Sequence, residues 1–268
     1  NLLKTLSAPT EGTYVTPAIV KVGGIADMDR EIFGPVLHVA TFKARDIDKV
    51  VDDINARQYG LTFGLHTRID DRVETIVNAV DAGNIYVNRD QIGAVVGSQP
   101  FGGMGLSGTG PKAGGPRYLP RFTAPIAATE GTDWDGADTG IADRVAASTA
   151  PAHSKPVDLP GPTGESNRLS AGSRGPVLCL GPGIAAAQAQ ADAVTALGGE
   201  PVMANGKIAP ELLISLPRIG GVIWWGDTAT GRDYAQALAR RAGPITALIT
   251  AQPDAGQVVH ETHVCIDT

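Results

Sequence analysis

The stretch "LTFGLHTRIDDRVETIVNAVDAGNIYVN", residues 61 to 88, decides the fold class. Its ends, "LTFGLHT" and "NIYVN", are short runs rich in β-branched and aromatic residues, while 69 to 82 spaces its apolar residues at helical intervals. Strand, helix and strand in so short a span form the unit of an α/β layer structure. Working outward, "YVTPAIVKV" and "PVLHVATF" read as upstream strands, with an amphipathic helix over 45 to 57. Downstream the pattern resumes at Pro176. There "PVLCLG", "EPVMA", "GGVIWWG" and "ITALIT" read as strands, separated by helices over 183 to 197, near 210 to 216 and over 229 to 241. This predicts a second parallel α/β unit.

Residues 129 to 175 between these regions are rich in Gly, Pro, Ser, Thr and Asp and poor in large aliphatics. Such a composition buries too little apolar surface to offset the entropy of ordering, which predicts a flexible linker. The expected domains are therefore 1–128, a linker over 129–175, and 176–268. A chain of 268 residues, 43% hydrophobic and 19% charged, suits soluble globular protein of one large or two modest domains. The net charge of −6, with basic residues spread along the chain, gives no footprint for nucleic acid and no polybasic membrane patch. No apolar run reaches about 18 residues, and the first residues lack a signal-peptide pattern, so a cytoplasmic protein is expected. Cys179 and Cys265 sit in apolar strand-like runs without metal-ligand spacing, which predicts buried reduced thiols and no metal site. The chain opens without Met in mid-pattern, and it is expected to be a piece of something longer.

The chemistry is concentrated in "NRDQIGAVVGSQPFGGMGLSGTGPKAGGP", residues 88 to 116. Nine glycines and three prolines in 29 residues exclude a regular helix or strand. A long loop inside a compact domain is a functional candidate, and glycine lets backbone N–H groups approach an anion. Ile92, Val95, Val96, Phe101, Met104 and Leu106 are expected to anchor it as an ordered binding loop rather than a linker. Neither a P-loop nor a strand-linked GxGxxG is present.

"REIFGPVLHVATF", residues 30 to 42, resembles the cofactor-contacting segment of aldehyde dehydrogenases, and "SQPFGGMGLSGTGPKAGGPRYL" resembles the substrate-side loop of their glutamate-semialdehyde (pyrroline-5-carboxylate) branch. The whole of 88 to 116 is closer still to the bifunctional proline utilization A family. The resemblance implies an α/β fold: the C-terminal half of an aldehyde dehydrogenase catalytic domain over 1–128, then the linker and a partial Rossmann-like domain. It implies NAD as cofactor, with Glu31 accepting hydrogen bonds from the nicotinamide-ribose hydroxyls and Phe33 packing on the nicotinamide side. A carboxylate offers two acceptor oxygens to a vicinal diol, and Pro35 stiffens the turn that aims it. The substrate implied is glutamate semialdehyde, its carboxylate held by backbone N–H groups of Ala113, Gly114 and Gly115 and its carbons packed by Phe101 and Phe122. Ser107 and Thr109 read as loop-shaping hydroxyls. The family's catalytic cysteine and general base lie upstream of the matched segment, so no catalytic residue is expected in this chain and the chain alone is expected to be inactive. The resemblance further implies the rest of a parent chain, including a proline dehydrogenase domain with FAD, and a homo-oligomer.

Residues 213 to 250, "LISLPRIGGVIWWGDTATGRDYAQALARRAGPITALIT", resemble the family's own Rossmann segment. Asp227 occupies the turn where a pyrophosphate would sit. Asp is a good helix N-cap, yet it puts negative charge at the phosphate position. "GPGIAAAQAQADAVTALGG", from Gly181, likewise lacks the GxGxxG spacing. A non-binding, non-catalytic copy is expected, with Trp224 and Trp225 serving packing.

Overall fold

The computed structural model describes residues 1–128 and 131–267. The chain divides into two compact units, Asn1–Tyr59 with Arg68–Asp81, and Gly60–Thr67 with Ala82–Thr268.

In the first unit, strands β1 (Leu2–Thr5), β2 (Ala18–Lys21) and β3 (Val36–Val39) form one sheet in that order. β1 runs antiparallel to β2, and β2 runs parallel to β3 from Ala18↔Val36 to Lys21↔Val39. Helices α1 (Ile47–Asn55) and α2 (Asp70–Ala79) occupy the two stretches with helical spacing. They bury Val51 and Ile76, and the Asn55 side chain joins their ends by donating to Ala79 O at 2.8 Å and accepting from Asp81 N at 2.8 Å.

The chain passes through β4 (Tyr59–Gly60) into the second unit, where it forms β5 (Thr62–Leu65), β6 (Asn84–Val87) and the two-residue β7 (Met104–Gly105). Then come α3 (Ile141–Ala147), β8 (Val157–Leu159), β9 (Glu165–Ser173) and β10 (Pro176–Cys179). The remainder is α4 (Gly183–Ala196), β11 (Glu200–Met203), α5 (Pro210–Ser215), β12 (Gly221–Ile223), α6 (Thr228–Ala239), β13 (Ala247–Ile249), α7 (Ala255–Val258) and β14 (Val259–Asp267).

The second unit has two main sheets. One is the expected parallel α/β layer, in strand order β11-β10-β12-β13. Both of its faces are covered, as a parallel sheet requires, which is why its strands read as unbroken apolar runs. Leu178, Val202 and Val222 pack with Leu213, Tyr234 and Leu238 on one side; Val177, Cys179, Ile223 and Ile249 pack with Ala186, Ala191 and Val194 on the other. The second sheet has the order β5-β6-β14-β9-β8. Here the last strand of the chain lies in the middle. β14 runs parallel to β6 from His263↔Asn84 to Ile266↔Val87, and antiparallel to β9 over nine pairs from Val259↔Ser173 to Asp267↔Glu165.

This topology corrects the expected division at 128 and 176. Thr129 and Glu130, the first two residues of the expected linker, lie outside the described residues, as does Thr268. The rest of that segment carries α3, β8 and β9. Helix α3 places Ile141 and Val145 in the core of the parallel layer, and β9 is hydrogen-bonded along both edges, to β14 and β8. Composition misleads because β9 needs few large aliphatics. Asn167, Leu169, Ala171 and Gly172 are its buried residues, and a central strand satisfies its backbone from both sides. Leu169→Ala should therefore lower unfolding free energy by about 2–5 kcal/mol, the cost of truncating a buried leucine. A shift in denaturant midpoint equivalent to less than about 0.5 kcal/mol, as for a surface site, would restore the linker reading.

Candidate functional site

The glycine loop is closed by a two-way backbone bridge: Phe101 N donates to Ala113 O at 3.0 Å and Ala113 N donates to Phe101 O at 2.8 Å. Beneath the bridge lies Asn84, fully buried at the start of β6. Its Nδ2 donates to Pro100 O at 2.8 Å, and its Oδ1 accepts from Gly102 N at 3.1 Å and from Lys112 Nζ at 2.8 Å. Lys112 Nζ also donates to Gly102 O. The approach is so close that a Cβ on Gly83 would lie 1.9 Å from Gly102 O, which makes that position glycine by necessity. From β14, Glu261 Oε2 accepts from Lys112 N at 3.1 Å, while its Oε1 pairs with Arg117 at 2.9 Å.

The expected carboxylate-binding residues thus sit on a turn held from below. Ala113 N–H is spent on the bridge and Gly115 N–H donates to Lys112 O at 3.2 Å. Gly114 adopts the left-handed conformation, φ +68°, and among the described residues no group accepts from its N–H. Phe101 is half-buried. Phe122 is 72% exposed and meets Tyr118 edge-to-face with centroids 5.4 Å apart.

The loop's anchors differ from those expected. Ile92 and Val96 are about as exposed as a side chain gets, at 85% and 86%, and Val95 and Leu106 are also exposed; only Phe101 and Met104 are half-buried. Polar groups hold the loop instead. Besides Asn84, Lys112 and Glu261, buried Gln99 accepts from Val95 N at 3.2 Å and donates to Glu165 Oε1 at 3.2 Å. A glycine-rich backbone has few side chains to bury, so its carbonyls and N–H groups are what the fold can grip. Sequence spacing gives no sign of these partners, because Glu261 lies far along the chain and a lysine reads as a surface residue.

Electrostatics around the loop follow from burial. Desolvation pulls the Lys112 ammonium down to about 7, opposed by the charge of Glu261. His263, pulled down to about 4 chiefly by burial, is a neutral imidazole. Its Nε2 lies 3.2 Å from Asn167 Oδ1 and its Nδ1 lies 3.4 Å from Asn84 Nδ2, which fits a proton on Nε2. Glu165, Cys265 and Asp267 bring three ligand-type atoms within 4.8 Å of one another. Arg89 Nη1 already donates into this group, to Glu165 Oε2 at 2.9 Å and to Cys265 Sγ at 3.4 Å, so a guanidinium holds the place a cation would take. Both cysteines are free and buried, as expected. Burial pushes Cys179 up to about 12 and raises Cys265, which keeps both as thiols.

Glu31 and Phe33 belong to the first unit. They lie in the irregular stretch before Gly34, which has φ +123°, and Pro35, whose carbonyl accepts from Ala18 N at 2.9 Å and ties the turn to β2. Glu31 is exposed and Phe33 is 86% exposed, leaving both side chains open to a ligand.

At the carboxyl ends of β10 and β12, where strand order reverses and α/β sheets bind ligands, the chain's own side chains take the backbone groups. Gln190 accepts from Gly181 N at 2.9 Å and donates to Gly181 O at 2.7 Å. Asp227 caps α6, its Oδ1 accepting from Thr230 N at 2.9 Å, a bond that holds its exposed carboxyl below the usual range. Trp134 Nε1 donates to Leu180 O at 2.8 Å, and Asp138 N and Lys207 N form reciprocal bonds with Lys207 O and Gly136 O. Asn205 N donates to Asp138 Oδ2 at 2.7 Å.

A mixed α/β fold with parallel sheets, carrying a glycine turn with an open N–H, is the setting in which the sequence comparisons fall. Residues 4–126 match the aldehyde dehydrogenase family. Over 264 residues, 90% of its length, the chain is 39% identical to the bifunctional protein PutA of Rhizobium meliloti, of which it spans 22%. It is 44% identical over 117 residues, 41% of its length, to the 1-pyrroline-5-carboxylate dehydrogenase of Bacillus subtilis, spanning 21% of that protein. In fold it is similar to proline utilization A (PutA) from Corynebacterium freiburgense, with a TM-score of 0.66 and 23% identity over 99% of this chain and 29% of that one. The chain therefore spans about a fifth of the curated relatives it matches.

Removing the Glu261 carboxylate leaves Lys112 N–H without its acceptor and Arg117 without its partner. Glu261→Ala should cost about 1–3 kcal/mol and speed amide hydrogen exchange at Lys112 relative to β12. Unchanged exchange at Lys112 would mean that β14 does not hold the loop.

Proposed function

We propose that this chain supplies the substrate-carboxylate and nicotinamide-ribose contacts of an NAD-dependent glutamate-semialdehyde dehydrogenase acting in proline catabolism. The observation that carries the reading is the glycine turn, pinned through Asn84, Lys112 and Glu261 with the Gly114 N–H left open. A rigid turn presenting a bare N–H binds an anion without a reorganisation cost. The similarity of residues 4–126 to aldehyde dehydrogenases and pyrroline-5-carboxylate dehydrogenases supplies the class of substrate. In this reading Ala113, Gly114 and Gly115 form the carboxylate turn, Phe101 and Phe122 flank the substrate's carbons, and Glu31 and Phe33 orient the nicotinamide end of the cofactor. NAD, when bound, supplies the hydride acceptor. The cysteine that attacks the aldehyde and the base that assists thioester hydrolysis belong to the longer protein, since both thiols here are buried and protonated. The 268-residue chain by itself is then inactive. A flavin-dependent proline dehydrogenase with FAD in the same polypeptide, a homo-oligomeric assembly and a cytoplasmic location complete the proposal.

A scaffold role is favoured for the parallel layer alone. The backbone groups at its crevice are taken by Gln190, Asp227 and Trp134, so it packs rather than binds.

Glu31→Ala in the full-length protein should lower kcat/KM for NAD by about ten- to a hundredfold, the loss of charge-assisted bonds worth about 1.5–3 kcal/mol, with unchanged thermal stability. Unaltered kinetics would remove Glu31 from the cofactor site. Calorimetry on the same protein should count a single NAD per chain, and Asp227→Ala should leave that count as it was. A second NAD in either protein would overturn the scaffold reading.

A further inference from the structure

Lys112 is 2% exposed, yet among the described residues no carboxylate forms an ion pair with its ammonium. Its Nζ is held by two neutral acceptors, Asn84 Oδ1 at 2.8 Å and Gly102 O. Buried charges are ordinarily paired, because desolvation is costly without an opposite charge. The nearest carboxylate in the network, Glu261, spends its oxygens on Lys112 N and on Arg117. The ammonium is thus a cation whose direct acceptors are both neutral, with Glu261 acting on it only through space, and the residue that bears it adjoins the turn whose Gly114 N–H is open.

We propose that Lys112 is a positioning residue for the substrate carboxylate: its ammonium fixes the Phe101–Gly102 backbone and the 113–115 turn to β6, and its charge, which has no directly bonded carboxylate, favours an anion on that turn. This rests on the carboxylate-turn reading above and goes beyond it by assigning the element that makes the turn selective for an acidic aldehyde. The groups around Lys112 leave the assignment clean. From β6 comes neutral Asn84; from β14 come Glu261, His260 and His263, and both imidazoles are held down to about 4, uncharged near neutrality. Arg89 and Arg174 are guanidiniums that stay charged, and Arg117 is paired with Glu261. Since burial brings the Lys112 ammonium to about 7, its charge is present below that pH and lost above it, and a bound anion shifts the loss to higher pH.

The test is kinetic, on the full-length protein. Lys112→Met should raise KM for glutamate semialdehyde roughly tenfold, a clearly larger loss than in kcat/KM for propanal, which has no carboxylate. Equal losses on both aldehydes would make Lys112 a general structural residue and overturn the proposal. Should that variant not fold, the wild type still decides: affinity for glutarate, doubly ionised above about pH 6.5, should fall several-fold between pH 6.5 and 9, and a flat profile would overturn it. Gly114→Val separates the two readings. If it raises KM for glutamate semialdehyde and Lys112→Met does not, the positioning role is wrong and the carboxylate turn stands. If neither variant does so, the carboxylate turn itself is misassigned.

Discussion

The structure of the second unit depends on one strand. β14 is paired along both edges, to β6 on one side and to β9 on the other, so the end of the chain joins the segment that follows α2 to the segment that precedes the parallel layer. Its register carries the site. Glu261, His263 and Cys265 alternate along β14 and therefore share a face, and each reaches a different part of the glycine loop's support: Lys112 N and Arg117, Asn84 and Asn167, Arg89 and Gln99. A slip of one residue would turn all three to the opposite face and bring Thr262 and Val264 in their place. The polar network and the strand pairing are thus one constraint, because either fixes the register that the other needs.

A network of this kind has a cost that an apolar anchor would not. Burying Asn84, Gln99, Lys112, Glu261 and His263 requires that each be hydrogen-bonded, and each is. What polar contacts supply in return is direction. A leucine under the loop would tolerate rotation of the Phe101–Gly102 peptide, whereas Asn84 receives Gly102 N–H and Lys112 donates to Gly102 O, so both ends of that residue's backbone are fixed. For a turn that presents an open N–H group, orientation matters more than burial.

Legibility in the sequence followed the physics that each element uses. The helices α1, α2, α4, α5 and α6 and the strands β5, β6, β10, β11, β12 and β13 declare themselves through periodicity or apolar runs, and they fall where those patterns place them. β9 does not. Its buried face includes Asn167 and Gly172, and what stabilises it is pairing with a strand at the far end of the chain, which no local window reports. The same reason hides Glu261 and Lys112, whose roles come from a long-range juxtaposition. Asp227, by contrast, acts on its own helix, and its capping bond to Thr230 N was readable from the turn alone.

The two glycine turns of the second unit are used in opposite ways, and the difference lies in who satisfies the backbone. At 113–115 backbone carbonyls take the outer N–H groups, Phe101 O that of Ala113 and Lys112 O that of Gly115, and Gly114 N–H is left open. At Gly181 the chain supplies Gln190 to occupy both the N–H and the carbonyl, and at the start of α6 it supplies Asp227 to occupy the Thr230 N–H. A glycine-rich turn is therefore no evidence of binding until its donors are counted. An internal side chain competes with a ligand at high effective concentration, and a ligand displaces it only by making stronger bonds than the ones it breaks. In the parallel layer those donors go to the fold's own side chains, while the loop above β6 keeps one donor in reserve.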